Sequence, residues 1–441
     1  MRYAWTFLLS AILVTGFGKT NQLDQNWSAP IKFSQTKEGL AASFYVYKWN
    51  NTILVLRSAD NVNGEYNCWS LTQDGMTWKN GVIEGFSEFD VTPIITDPAT
   101  NRLVFVASTK SETEAKYVLR TVSLDEDDFR ISNLSRQTIA VTPSLPAGEY
   151  VYGPVSGIGA SVNSNYFVPY IIRTDARPGS SVKETPAVFP VGLFYSLDGG
   201  LSWKQTNVLR RAVWSADAGA TAGALYLLGW QQGGYGGNLW FSKQALDRFS
   251  SAAEELNKTC VGGFSMANND DTIHLCWMDC RHEQIPSQMA MFLFGADERR
   301  NYEIFYRHVT DSKKTWEPEI LLSKGLRYAY TPSISAEGKK IVIAWAGVKK
   351  AAEKYHDDYC PNDIYYAVSK DNGDTWSKPM RVTDNIPRGM TAADPQVELL
   401  NNIIHLFYIE GKYQKKPEVS GLRLIQQPPY DIIYQQRPFP N

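Results

Sequence analysis

Residues 369–376 read SKDNGDTW, and residues 196–203 read SLDGGLSW. Both follow Ser-x-Asp-x-Gly-x-Ser/Thr-Trp. These residue types describe a tight turn: the Asp carboxylate accepts hydrogen bonds from backbone N–H groups, Gly supplies a positive φ, and Trp anchors the loop from beneath. Looser copies stand at 71–78 (LTQDGMTW), where the acid has moved to Asp74, and at 309–316 (VTDSKKTW), where Lys313 takes the Gly position. Each octet follows a strand-like run (EYNCWS, GLFYS, EIFYRHV, DIYYAVS) and precedes another short one such as SKPMRVT. The octet is therefore a hairpin turn within a repeated unit.

The octets resemble the Asp-boxes, or BNR repeats, of sialidases and other secreted β-propellers. The resemblance implies that the turn joins the third and fourth strands of a blade, on the face away from the active site. The rest of the unit is legible too, as an apolar strand, a turn and a second apolar strand. Seven such pairs occur, at 41–58, 91–108, 155–172, 212–229, 261–278, 331–347 and 394–409, starting 49 to 70 residues apart. After the second and fourth pairs, SLDEDDF and ALDRF replace the octet.

The seventh pair is followed by GLRLIQ (421–426), a candidate third strand, and by no octet. The stretch QNWSAPIKFS (25–34) is similar to DTWSKPMRVT and KTWEPEILLS, which end or follow octets. Residues 26–34 are thus expected to complete the last blade from the other end of the chain, removing exposed sheet edges. The reading is all-β: a seven-bladed β-propeller of four-stranded antiparallel blades filling residues 19–441. Six blades is the alternative, because 210–250 is the least regular stretch. The Pro-rich tail PPYDIIYQQRPFPN (428–441) is expected to pack along one blade.

Composition bounds the function classes. The 441 residues carry a net charge of −2, which gives no overall basic field for nucleic acid. Aromatic content is 13%, with 13 Trp and 24 Tyr, in keeping with strands and aromatic-lined surfaces. MRYAWTFLLSAILVTGFG (1–18) has a short basic start and an apolar run too short to cross a membrane; it reads as a signal peptide. No other stretch is apolar enough to span. An extracellular or periplasmic monomer is expected. Sequons at Asn26, Asn50, Asn133 and Asn257 matter only in a eukaryotic secretory host. The five cysteines (68, 260, 276, 280, 360) cannot all pair within one chain.

If the octets mark one face, chemistry belongs on the other, in the loops after the seven pairs and the connections between blades. Six of those seven loops open with Arg or Lys, and Arg57, Arg173, Arg327 and Arg388 are among the cations gathered there. A neutral chain that collects cations at one mouth suggests an anionic substrate, its carboxylate gripped by Arg forks. The plainer alternative is that such residues are common in loops. Trp230 and Tyr235 in WQQGGYGG form either a sugar-stacking platform or an irregular turn.

WMDCRHE (277–283) resembles the Trp/Tyr-x-Asp-x-Arg pattern of BNR repeats, where the Asp–Arg pair ties blades together. The alternative has Asp279, Arg281 and His282 lining the pocket. Cys280, His282, His356 and Cys360 fall in loops of neighbouring blades, a set suited to structural zinc. A Cys280–Cys360 disulfide and free thiols are the competing readings. His274 and His405 occupy corresponding places in second strands and read as buried structural histidines.

Three functional readings share this scaffold. Sialidases carry a Phe/Tyr-Arg-Ile-Pro motif near the N-terminus, which this chain lacks. Seven blades resemble ulvan-lyase-type propellers, which abstract the proton α to a uronate carboxylate. On that reading Tyr170 beside Arg173, or His282, serves as base on an acidic polysaccharide. A non-catalytic glycan-binding propeller is the third reading, since fold does not fix function. Lyase action is the main expectation, with a sialidase-like glycoside hydrolase as the alternative.

Overall fold

A computed structural model describes residues 26–35, 44–49, 51–57, 68–82, 90–97, 100–109, 115–124, 131–141, 149–156, 159–176, 191–209, 213, 215–232, 237–250, 252–282, 302–313, 315–349, 362–383, 390–413 and 426–440. Every regular element among them is a strand. After β1 (Ile31–Gln35), unit 1 comprises β2 (Phe44–Trp49), β3 (Thr52–Arg57), β4 (Cys68–Thr72) and β5 (Lys79–Val82). Unit 2 comprises β6 (Asp90–Asp97), β7 (Arg102–Thr109), β8 (Ala115–Leu124) and β9 (Ile131–Val141). In unit 3, β10 (Glu149–Ser156) and β11 (Ala160–Val162) both pair with β12 (Asn165–Ala176), and β13 (Val191–Ser196) and β14 (Lys204–Leu209) follow.

Unit 4 runs β15 (Ser215–Ala220), β16 (Leu225–Gln232), β17 (Gly237–Gln244) and β18 (Glu254–Asn269). The same β18 opens unit 5, with β19 (Thr272–Asp279), β20 (Glu303–Thr310) and β21 (Ile320–Leu321). Unit 6 is β22 (Leu326–Glu337), β23 (Lys340–Lys349), β24 (Asp363–Ser369) and β25 (Met380–Arg381). Unit 7 is β26 (Met390–Leu400), β27 (Ile403–Tyr413) and β28 (Gln426–Pro438), completed by β1, whose Ile31 lies opposite Tyr434.

Two arrangements differ from the sequence reading. Units 4 and 5 are fused, because β18 continues from the outer edge of one to the inner edge of the next. Cys260 faces Gly237 on one side and Asp279 on the other. No proline interrupts residues 254–269. Second, the tail is not a strap: it is the third strand of unit 7. In β28 only the beginning and end hold prolines, and the DIIYQQ run between them pairs fully with β27.

The first strands of the units pack in cyclic order: β2 on β6, β6 on β11, β11 on β15, β15 on β18, β18 on β22, β22 on β26, and β26 back on β2. This is a β-propeller. Its core is a series of apolar layers between facing sheets. Leu54, Leu56 and Phe105 fill the layer between units 1 and 2. Ile343 and Trp345 of unit 6 meet Tyr306 of unit 5. Phe44 and Val55 of unit 1 meet Phe407 and Tyr434 of unit 7. Polar side chains stitch the inner strands: Ser333 Oγ accepts from Val397 N (3.1 Å), and Gln396 both accepts from Val46 N (2.8 Å) and donates to Phe44 O (2.6 Å).

The octets adopt the expected turn. In SKDNGDTW, Ser369 Oγ accepts from Gly373 N (2.9 Å), and Asp371 accepts from Thr375 N (2.9 Å). Gly373 sits at φ 94°. In SLDGGLSW the same bonds run from Gly200 N to Ser196 Oγ (2.8 Å) and from Ser202 N to Asp198 (2.9 Å). In LTQDGMTW the displaced Asp74 still accepts from Thr77 N (2.7 Å), and Thr72 takes the Ser role.

Each octet also lies against the third strand of the preceding unit. A Cβ on Gly373 would stand 1.8 Å from Tyr306 Oη of unit 5, and one on Gly75 2.1 Å from Tyr434 Oη of unit 7. Those two hydroxyls contact His274 Nδ1 (2.7 Å) and His405 Nδ1 (2.9 Å). Both histidines are buried, as their corresponding positions in second strands implied.

Gly373→Ala should therefore lower stability by about 2 kcal/mol or more, through steric overlap and left-handed strain together. Gly338→Ala, at φ 54° with nothing within 4 Å, should cost only about 1–2 kcal/mol from the backbone alone. Denaturant unfolding of the two variants compares them. Burial depresses His274 to about 3, with His308 adding to the effect, and His405 to about 4 against the pull of Glu337. The unfolded chain then binds more protons than the native one between about pH 6.5 and 4, so stability falls as pH drops through that window. Each histidine contributes a slope of up to about 1.4 kcal/mol per pH unit. His405→Asn should flatten the acid limb of a stability–pH curve.

Candidate functional site

Inner strands β6, β22 and β26 carry the X-Pro pairs Thr92-Pro93, Thr331-Pro332 and Asp394-Pro395, and β10 of unit 3 carries Gly153-Pro154. Proline has no N–H to give the ladder, so the register slips there. Slips fall between Pro93 and Ile95, Tyr330 and Ser333, and Ala393 and Gln396. At the last two the residue before proline has a positive φ, 50° at Thr331 and 48° at Asp394. A β-branched threonine in that region is strained, and strain of this sort gathers at functional positions.

Asp394 reaches solvent. Yet the surrounding protein raises its carboxyl above the usual range, with a contact from Thr331 opposing the rise. A group both wetted and walled in is what the inner rim of a ring of sheets provides.

Around Asp394, on the seam between units 6 and 7, sits a buried polar network. Asn362 directly precedes β24. Its Nδ2 donates to Tyr330 Oη and to Thr391 Oγ1 (3.1 Å), and its backbone N donates to the same Thr391 hydroxyl (3.1 Å). Asn362 Oδ1 and Thr331 Oγ1 are buried without a hydrogen-bond partner. The Thr331 hydroxyl lies against the Asp394 carboxyl, whose pKa it helps to hold down. Glu410, at the mouth end of β27, is also raised, by burial and by Asp431. Strand alternation sets it on the side of Leu406 and Tyr408, which pack towards unit 6.

The residues singled out from sequence are scattered. Tyr170 is in the core between units 2 and 3, its ring 4.2 Å from Phe194 and 5.2 Å from Tyr117, with burial pushing its pKa up to about 12. That placement makes it a packing residue, not a proton acceptor. Arg173 lies opposite Gly153, Arg57 opposite Phe44, and Arg327 opposite Val348. All three hold mouth-side strand positions, and their side chains lie outside the described residues. Tyr235, Arg388, His356 and Cys360 also lie outside the described residues. Trp230 is half-buried, and its indole N–H donates to Cys260 O (3.1 Å).

Asp279 is buried and fully engaged. It accepts from Asn257 Nδ2 (3.0 Å), Trp277 Nε1 (3.1 Å) and Arg281 N, Nε and Nη2 (2.8, 3.0 and 2.6 Å). Burial would raise its carboxyl, but bonds from Arg281, Thr259 and Trp277 hold it below the usual range. Arg281 also bonds Glu319 and lies 4.3 Å over the Phe305 ring. Because Asn257 belongs to the unit 4 half of β18, this cluster braces the fused sheet. Cys280 is buried at Thr259 O (3.7 Å), while His282 is exposed with Nδ1 2.7 Å from Glu303. Among the described residues no group of three or more His, Cys, Asp or Glu is arranged to hold a metal.

No protein-family model matches the chain, and no curated protein does. Among solved structures it is similar to Trypanosoma rangeli sialidase with 2,3-difluorosialic acid (TM-score 0.47, 11% identity, 94% of this chain, 58% of that one). It is also similar to the same sialidase with sialic acid (0.45, 12%, 94%, 59%). A further likeness is to NanB sialidase from Streptococcus pneumoniae (0.42, 10%, 95%, 71%). The chain thus spans under two thirds of the length of the trypanosome enzyme. With every TM-score below 0.5, these likenesses assign neither a fold nor any residue to this chain.

Removing the cation from the Asp279 cluster strands a buried carboxylate. Arg281→Met should cost about 3–5 kcal/mol, read as a lower denaturant midpoint.

Proposed function

We propose that the protein is an exported, sialidase-like glycoside hydrolase that acts on an anionic glycan at the inner rim of a seven-bladed ring, on the seam between units 6 and 7. The observation that carries the reading is Asp394: a solvent-reaching carboxyl, fixed by a strained backbone on the innermost strand, with a raised pKa. A carboxyl whose proton affinity is raised above the ordinary aspartate range is better suited than a free one to protonate the leaving oxygen of a glycosidic bond. Glu410 offers a second carboxyl on the same seam. Thr331 steadies the Asp394 carboxyl, and the buried Asn362–Thr391–Tyr330 network stiffens the same seam. By chain position Arg327 and Arg388 flank the entries into units 6 and 7, where a guanidinium suits a substrate carboxylate.

Lyase action by a Tyr170–Arg173 pair has less support, since the phenol is in the core. Incubation with sialosides and with uronate oligosaccharides separates the readings. A hydrolase releases reducing sugar without ultraviolet-absorbing unsaturated ends. Unsaturated products identify a lyase, and binding without product identifies a glycan-binding propeller. Asp394→Asn should lower kcat by about 10²–10⁴-fold with KM nearly unchanged. The wild-type rate should fall as pH rises through the pKa of Asp394, because the acid is then spent, and the variant should lose that limb. Full activity in Asp394→Asn contradicts the assignment.

A further inference from the structure

A row of side-chain rungs joins the inner strands of units 6 and 7. Ser333 Oγ accepts from Val397 N (3.1 Å), Ser335 Oγ from Leu399 N (3.0 Å) and Glu337 Oε1 from Asn401 N (3.1 Å), each reaching the residue 64 positions on. Thr331 holds the next place in this row. The residue 64 positions on from it is Pro395, which has no N–H to give. The Thr331 hydroxyl is therefore left out of the ladder. Its oxygen is buried and lies against the Asp394 carboxyl instead.

The neighbouring seam meets the same loss differently. Between units 5 and 6, Ser265 Oγ accepts from Ile334 N (3.4 Å), 69 positions on. The next rung there would join Gly263 to Pro332. A Cβ on Gly263 would stand 3.4 Å from Pro332 Cδ, so the two residues do face each other. At that seam proline removes the donor and the chain carries no acceptor. Between units 6 and 7 the donor is again missing, yet the acceptor is kept. It stands on a β-branched residue at φ 50°, where glycine would be unstrained. The ladder has no use for that hydroxyl, and the carboxyl beside it does.

A hydroxyl that donates to a carboxylate favours the ionised form. Tyr45 of β2, Tyr330 of β22, Asp363 of β24 and Glu410 and Lys412 of β27 are the titratable side chains described at the mouth side of the strands packed against β26. What moves the Asp394 carboxyl is burial, which raises it, and Thr331, which opposes the rise.

We propose that Thr331 is a positioning residue for Asp394: released from the ladder by Pro395, its hydroxyl orients the carboxyl and donates to the carboxylate left when the proton passes to the leaving oxygen. Thr331 has this role only if Asp394 is the general acid.

Carboxyl titration by NMR of the whole chain, beside pH–rate profiles, tests it. Thr331→Val keeps the branched shape and removes the hydroxyl. The Asp394 midpoint should move up, the alkaline limb of the rate should move up with it, and kcat should fall about tenfold. Thr331→Ser should restore both. Pro395→Ala supplies the missing N–H and draws the hydroxyl into the ladder. The Asp394 midpoint should then rise as in Thr331→Val, with no further rise in the double variant. Ser333→Ala removes an ordinary rung, so it should lower Tm and leave the midpoint in place. A midpoint unchanged in Thr331→Val overturns the proposal, as does an equal shift in Ser333→Ala. The titration needs no turnover, so it separates failure of this role from failure of Asp394 as the acid, which full activity in Asp394→Asn would reveal.

Discussion

Each four-stranded sheet in this chain has two apolar faces, and neither can be left in water. One neighbour covers one face, so a row of such sheets is stable only if it closes on itself. The layer that joins unit 7 to unit 1 is therefore the contact on which the others depend. Phe44, Val46 and Val55 meet Phe407, Ile409 and Tyr434 there. Gln396 bonds across the inner strands, and β1 returns from the far end of the chain to complete the last sheet.

Closure also brings together the inner strands on which the proposed site rests. The X-Pro pairs at Thr331 and Asp394 break the inner ladders of units 6 and 7. There the chain turns a carboxyl towards solvent while protein surrounds it. The octets work at the other end of the sheets. Each Gly leaves just enough room for a neighbour's Tyr or Thr, and the Asp and Ser side chains satisfy the turn without outside help. Their role is to set sheet against sheet.

Much of the scaffold was legible in the sequence because turn chemistry and alternating apolar runs are local signals. All seven strand pairs appear where the pattern put them, and the stray fourth strand at Ile31–Gln35 pairs as its likeness to SKPMRVT implied. The tail was misread because prolines at both ends of β28 hid the DIIYQQ run between them. Tyr170 was misread for want of applying the same alternation: Tyr166, Val168 and Tyr170 share one face, and all are core. Asp394 was overlooked although DPQVE and TPSIS stand at matching places in their pairs. What marks it is a register slip and a positive φ, and both depend on which neighbour the proline faces across the ladder.

The most direct measurement is a carboxyl titration by NMR of aspartate-labelled protein, with Asp394→Asn to assign the resonance. The account predicts that Asp394 titrates above the ordinary aspartate value of about 3.9 and that its signal moves when the cleaved glycan is added. A midpoint at or below that value, or a signal indifferent to the glycan, would contradict it.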